Sequence, residues 1–229
     1  TTKTYFPEDV ALLQDLTDDE KAAIEDLKAT YRIATPIQSE TYRKVEYTVD
    51  PNNKGELLST QRTNYNTWAN NNYTLPQSVE TAKGTNALED RIIYHQYDAL
   101  GNAVDVSKVE GTHITYIWGY NQTLPIAKLE NINYDDIDAN LIADLQTKSN
   151  DDSSPAKEAI LRTALEQLRT DYPQAMISTY TYDPQIGVTS VTDPRGQTSY
   201  YEYDTFNRLR LIRDSDNNIL EKYDYKYAE

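Results

Sequence analysis

The groups in this chain best able to do chemistry are two histidines, one acidic loop and a large set of tyrosines paired with aspartates. His95 and His113 could each give a metal an imidazole nitrogen. The chain has no cysteine, and no close acidic residue completes a tetrahedral set with them. They read as strand histidines, and no metal is expected. Asp214, Asp216 and Asn218 open like a D-x-D-x-N calcium loop. Such a loop needs glycine at its sixth position and glutamate at its twelfth, where this chain has Ile219 and Tyr225. A hairpin turn is the expectation there. The sequence contains no G-x-S-x-G, P-loop, G-x-G-x-x-G or H-E-x-x-H. No catalytic residue and no cofactor is assigned, and the chain is expected not to be an enzyme. Carboxylate pairs are diagnostic of glycoside chemistry only inside a cleft.

Tyrosine and aspartate recur in register. Residues 180–196 read YTYDPQIGVTSVTDPRG and residues 201–218 read YEYDTFNRLRLIRDSDNN. Both run Tyr-x-Tyr-Asp, turn residues, an apolar stretch, then a second Asp followed by Gly or Asn. Tyr182 and Tyr203 set a period of 21 residues (203 − 182). A period of that size marks a stacked repeat array, whose units bury their faces only against neighbours. A further copy spans 92–120, with Tyr97-Asp98 and Gly101. In each unit the Asp after the tyrosine begins a turn, its carboxylate bonding backbone N–H groups two residues on. The later Gly or Asn accepts positive φ. The turn set is Asp98, Gly101, Asp183, Gly187, Asp193, Gly196, Asp204 and Asn207. The aspartates are turn formers, not catalysts.

The same periodicity sorts the aromatic side chains. In 109–120 it puts Thr112, Ile114, Tyr116, Trp118 and Tyr120 on one strand face. In 220–227 it puts Tyr223, Tyr225 and Tyr227 together. These two faces are the candidate binding surfaces, because aromatic rings stack on sugars and tyrosine suits a half-wet face.

The elements that carry these residues are mostly strands. KVEYTVD (44–50) alternates, with Val45, Tyr47 and Val49 on one face, and PNNKG (51–55) is a turn by composition. Helices are expected near 17–30, 134–147 and 155–171. Thr17 and Glu20 form a capping box for the first, and Asn133 is the candidate cap of the second. Ser154 and Pro155 start the third, which Glu158 and Arg162 support. KSNDDSSP (148–155) reads as a polar linker. The fold class is mainly β: an antiparallel hairpin-repeat sheet with an N-terminal helix and an inserted helical hairpin. The expected organisation is a helical lead-in (1–36), β repeats (37–131), a helical insertion (132–173) and repeat hairpins (174–229).

Composition narrows the partners. The 229 residues carry 22 Lys+Arg against 37 Asp+Glu, a formal net charge of −15. That sign repels phosphate backbones, so no nucleic acid is expected. No apolar run approaches the ~18–20 residues that span a membrane, so no membrane insertion is expected. The first ten residues lack the basic and apolar regions of a signal peptide. The chain reads as a piece of something longer, because an array is normally capped.

The segments YDALGN, YTYDPQIG and YEYDTFNRL resemble the YD-repeat (Rhs-repeat) family, whose unit runs about YxYDxxGRL and then D-x-x-G. YIWGYNQTLPIAKLEN (116–131) and 178–209 are similar to the large YD-repeat proteins of Bacteroidetes. The resemblance covers 92–131 and 176–227, fades over 40–75 and is absent from 1–36 and 132–173. It implies a segment of a big secreted or cell-surface protein. In that family the repeats form β ribbons, often a shell around a C-terminal toxin, and related repeats serve adhesion. The parent's remaining repeats are then the partner, with carbohydrate an alternative ligand. Three clear units and one degenerate one are too few to close a shell. Asn stands for Gly at Asn207 and Asn217. Asp193-Pro194-Arg195-Gly196 is similar to the self-cleavage junction at the end of such arrays, but a repeat follows it, so it reads as a turn. Scaffold, binding module and glycoside-active enzyme are the three readings, in that order.

Overall fold

The computed structural model describes residues 1–43 and 55–226. The strand read over 44–50, nearly all of the 51–55 turn, and Tyr227 lie outside the described residues. The chain forms two compact units, Thr1–Gly111 and Thr112–Glu229.

The first unit is an antiparallel meander of β1 (Thr2–Tyr5), β2 (Gln38–Arg43), β3 (Glu56–Trp68), β4 (Tyr73–Lys83), β5 (Glu89–Tyr97) and β6 (Ala103–Lys108). Each strand pairs with the next in sequence. From β3 to β6, short connections make this local pairing the easiest topology to reach. A helix, α1 (Asp18–Ala29), lies on β3. The expected capping box is present: Glu20 N–H donates to Thr17 Oγ1 at 3.2 Å and Thr17 N–H to Glu20 Oε2 at 2.6 Å. Ala23, Ile24 and Leu27 pack with Ile37 and Tyr65 to form this unit's core. Strand β1 was not expected in the helical lead-in. Its four residues are too few for alternation to declare, and it is held by pairing with β2 across a sequence gap of more than thirty residues.

The second unit continues the same plan with β7 (His113–Gly119), β8 (Leu124–Glu130), β9 (Met176–Asp183), β10 (Gly187–Thr192), β11 (Thr198–Tyr203), β12 (Leu209–Arg213) and β13 (Ile219–Lys222). Between β8 and β9 the chain makes α2 (Ala139–Asn150) and α3 (Pro155–Asp171), yet those strands remain antiparallel neighbours, Ala127 opposite Thr179. The helical hairpin is therefore an insertion that leaves the meander unbroken. Its apolar stripe, including Leu145, Leu161, Leu165 and Leu168, covers Ile117, Ile126, Leu129 and Ile177 of the sheet. Full burial of such a side chain contributes roughly 1.5–3 kcal/mol.

Two details correct the expected helices. Asn133 does not cap α2; it precedes a separate 3-10 turn, Tyr134–Asp136, and Asp138 accepts the Asn140 N–H as the true cap. The helix also runs through Asn150, so the first three residues of the polar linker are its last turn. Polarity there serves a contact: buried Ser149 accepts the Tyr120 N–H at 3.0 Å, and Asn150 accepts the Asn121 N–H. The start of α3 is as expected, with Ser154 capping Lys157 and Glu158 paired to Arg162.

Candidate functional site

No single cleft gathers the expected turn residues. They build one small device, repeated. At Asp98 the carboxylate accepts the N–H groups of Leu100 and Asn102 at 2.9 and 2.8 Å. The Asp98 N–H donates to the Asn102 carbonyl, and Gly101 N–H to the Asp98 carbonyl. Gly101 sits at φ +87°. The same contacts recur at Asp193 with Arg195, Gln197 and Gly196. They recur at Asp204 with Phe206, Arg208 and Asn207, and at Asp214 with Asp216, Asn218 and Asn217. Asn207 and Asn217 take φ +59° and +68°, filling the glycine place with the side chain that best tolerates it. Two charge effects follow. The Arg208 guanidinium, then backbone N–H donors, hold the Asp204 carboxyl below its ordinary range. Asn218 does the same for Asp214. The D-x-D-x-N stretch is thus a turn whose lead carboxylate is already filled by its own loop.

Asp183 departs from this pattern. Its carboxylate accepts the Gln185 N–H at 3.2 Å and its carbonyl the Ile186 N–H. Gly187 comes one residue later than the glycine of the other loops and pairs with Asp183 in the ladder. What demands glycine is a close approach: a Cβ at position 187, where φ is +155°, would lie 2.6 Å from the Tyr203 hydroxyl.

The tyrosines supply a second repeated device, and it depends on the hydroxyl. Eight described strand pairings carry a register skip, where a β-bulge leaves a residue outside the ladder, and four of them share a further feature. The register skips at Gln77, Ile126, Thr189 and Arg210. In each case a tyrosine from the following strand region donates to the carbonyl just before the bulged residue. Tyr97 reaches Pro76 at 2.8 Å, Tyr182 reaches Pro125 at 3.0 Å, Tyr203 reaches Val188 at 2.9 Å and Tyr225 reaches Leu209 at 2.8 Å. Each of these four tyrosines latches one hairpin to the strand region that follows it. Burial raises the Tyr97 and Tyr203 hydroxyls above their ordinary range, and pushes Tyr182 up to about 12. They stay protonated as donors.

The two aromatic faces fare differently. Tyr116 and Trp118 are half-buried on one face of β7, as alternation predicts, while Thr115, Ile117 and Gly119 face the core. Tyr120 leaves that face. The backbone turns left-handed at Tyr120, Asn121 and Gln122, with φ of 50°, 57° and 58°. That swings the Tyr120 ring into the core, edge-on to Tyr182. Its hydroxyl donates to Asp152 at 2.7 Å and accepts the Tyr182 N–H at 2.9 Å. Burial raises the pKa of both Tyr120 and Asp152. Strand β13 stops at Lys222, so Tyr223 and Tyr225 lie just past it, 38% and 46% exposed. Arg208 stacks over the Tyr225 ring at 4.2 Å.

The histidines were read without an acidic neighbour. In the first unit His95 Nε2 lies 2.8 Å from Ser107 Oγ, and a carboxylate oxygen of buried Asp105 comes within 4.8 Å of the same imidazole. Strand pairing makes that neighbour: Asp105 stands opposite Gln96, next to His95.

No family model and no curated protein matches the chain. Among solved structures, the chain is similar to one from the Photorhabdus luminescens Tc holotoxin pore with a substitution in TccC3. The TM-score is 0.39 and the identity 9%, over 84% of this chain and 9% of that one.

Proposed function

We propose that this chain is a non-enzymatic scaffold segment of a larger secreted or cell-surface protein of the YD-repeat type. The observation that carries the reading is repetition of chemistry: the same aspartate loop at four places and the same tyrosine latch at four places. An enzyme concentrates unlike groups at one site. Here like groups are spread along a meander, and each is occupied in holding backbone. The partner is the rest of the parent array, and the location is extracellular. A second reading, carbohydrate or partner recognition, draws on the half-buried pair Tyr116 and Trp118 and on the exposed Tyr223 and Tyr225. A glycan array and a panel of hydrolase substrates test both. Silence in both is the expected result, glycan binding moves the assignment to recognition, and turnover of any substrate refutes it.

A further inference from the structure

The first unit carries a hollow lined by three carboxylates, three neutral polar side chains and Ile93. It lies between the start of α1 and strands β3–β5, has a volume of about 320 Å³, and is lined by Glu20, Asn64, Gln77, Ser78, Glu80 and Asp90. Glu80 and Asp90 stand directly opposite each other in the β4–β5 ladder. Like charges in that register destabilise a sheet. The bases nearby are engaged elsewhere. Arg62, opposite Glu80 on β3, donates to Gln38 and to the Gln14 carbonyl, and Arg91 pairs with Glu89. Among the described residues, neither Glu80 nor Asp90 has an ion pair. Asn64 is 8% exposed, and among the described residues its amide carbonyl is a buried side-chain oxygen left without a donor.

A larger hollow of about 810 Å³ adjoins this one through Glu20 and Glu80 and adds Asp15, Glu40, which accepts from Tyr5, Gln38 and Tyr42, and the engaged guanidinium of Arg62. Facing carboxylates and an orphan acceptor call for a cationic donor. The carboxylates do not converge as metal ligands must: no three of them bring oxygens within 4.8 Å of one another. They are strung along a trough instead. We propose that this trough binds a linear aliphatic polyamine, with one ammonium group between Glu80, Asp90 and the Asn64 carbonyl.

The test is calorimetric titration of the full chain with spermidine, against calcium chloride and sodium chloride at matched ionic strength, for the parent and for E80Q/D90N. Saturable spermidine binding, weakened at least about tenfold in the variant, is expected. Without ligand the variant should melt above the parent, because it loses the facing charges. Heat that sodium chloride reproduces, undiminished binding by the variant, preference for calcium, or a variant that melts lower would each overturn the proposal.

Discussion

Replacing Tyr97 by phenylalanine isolates the latch from the ring. Tyr97 is 4% exposed, and its ring meets Trp68 edge-on at 4.9 Å and stacks on Tyr94 at 5.8 Å. Phenylalanine keeps that burial and both ring contacts. What goes is the 2.8 Å bond to the Pro76 carbonyl. A hydrogen bond of this kind contributes about 0.5–1.5 kcal/mol net, and a buried group left unpaired costs about 1–3 kcal/mol. The expected loss for Y97F is therefore about 1–2 kcal/mol. Y225F serves as the control: Tyr225 makes the same bond to Leu209 but is 46% exposed, so water replaces its hydroxyl and the loss should stay under about 0.5 kcal/mol. Urea unfolding can be followed through Trp68 in a W118F background, since the chain has only two tryptophans. With a urea slope of about 1–3 kcal/mol/M, Y97F should lower the midpoint by roughly 0.5–1 M. If Y97F falls within about 0.3 kcal/mol of its parent, or if Y225F costs as much as Y97F, the latch argument fails and the tyrosines are present for their rings alone.

Four further outcomes follow from the same contacts. Gly187→Ala should destabilise by about 1–3 kcal/mol, because its Cβ meets the Tyr203 hydroxyl, and Tyr203→Phe should relieve part of that in a double-mutant cycle. A coupling energy near zero would show that the approach is not the constraint. At the left-handed Asn207, Asn207→Gly should leave stability unchanged or raised in a thermal melt, while Asn207→Val should lower it by about 1–2 kcal/mol. Asp98→Ala should cost about 1 kcal/mol through its two lost backbone bonds, read as a lower urea midpoint. Alkaline titration should unfold the chain in a defined window. Tyr97, Tyr182 and Tyr203 hold their protons more tightly folded than unfolded, so their contribution is complete below pH ~10 and declines as pH rises, for Tyr182 up to about 12. A stability profile that is flat from pH 9 to 12 would contradict this.

What could be read in the sequence is what local chemistry determines. An aspartate followed three places later by Gly or Asn gives the same loop at Asp98, Asp193, Asp204 and Asp214. The capping box at Thr17 and the Ser154-Pro155 start needed no tertiary partner either. Two of the misses involve a distant partner and one a neighbouring turn. Tyr120 was assigned to the Tyr116 face because period 2 assumes an extended backbone, and the left-handed run that turns it inward is fixed by the end of α2, where Ser149 and Asn150 accept the Tyr120 and Asn121 N–H groups. Asp183 was grouped with the other turn aspartates although its glycine is one place late, and only the Tyr203 contact explains the shift. Asp138 and Asn133 are equally good caps by type, and the 3-10 turn at Tyr134–Asp136 decides between them.

At four of the eight bulged pairings, the bulge and a tyrosine explain each other. A bulge frees one backbone carbonyl, and in a buried meander that carbonyl needs a donor. Phenylalanine would fill the same volume but supply none, which accounts for tyrosine at positions 97, 182, 203 and 225. The latch must come from the strand after the bulged one, so each hairpin is complete only when the next is in place. Tyr203 and Val188 are 15 residues apart and Tyr225 and Leu209 are 16 apart, Tyr97 and Pro76 are 21 apart, and the 57 between Tyr182 and Pro125 include the helical hairpin. Each unit's stability is thereby coupled to its neighbour's by a side chain as well as by strand pairing, and removing one hydroxyl should weaken two hairpins at once.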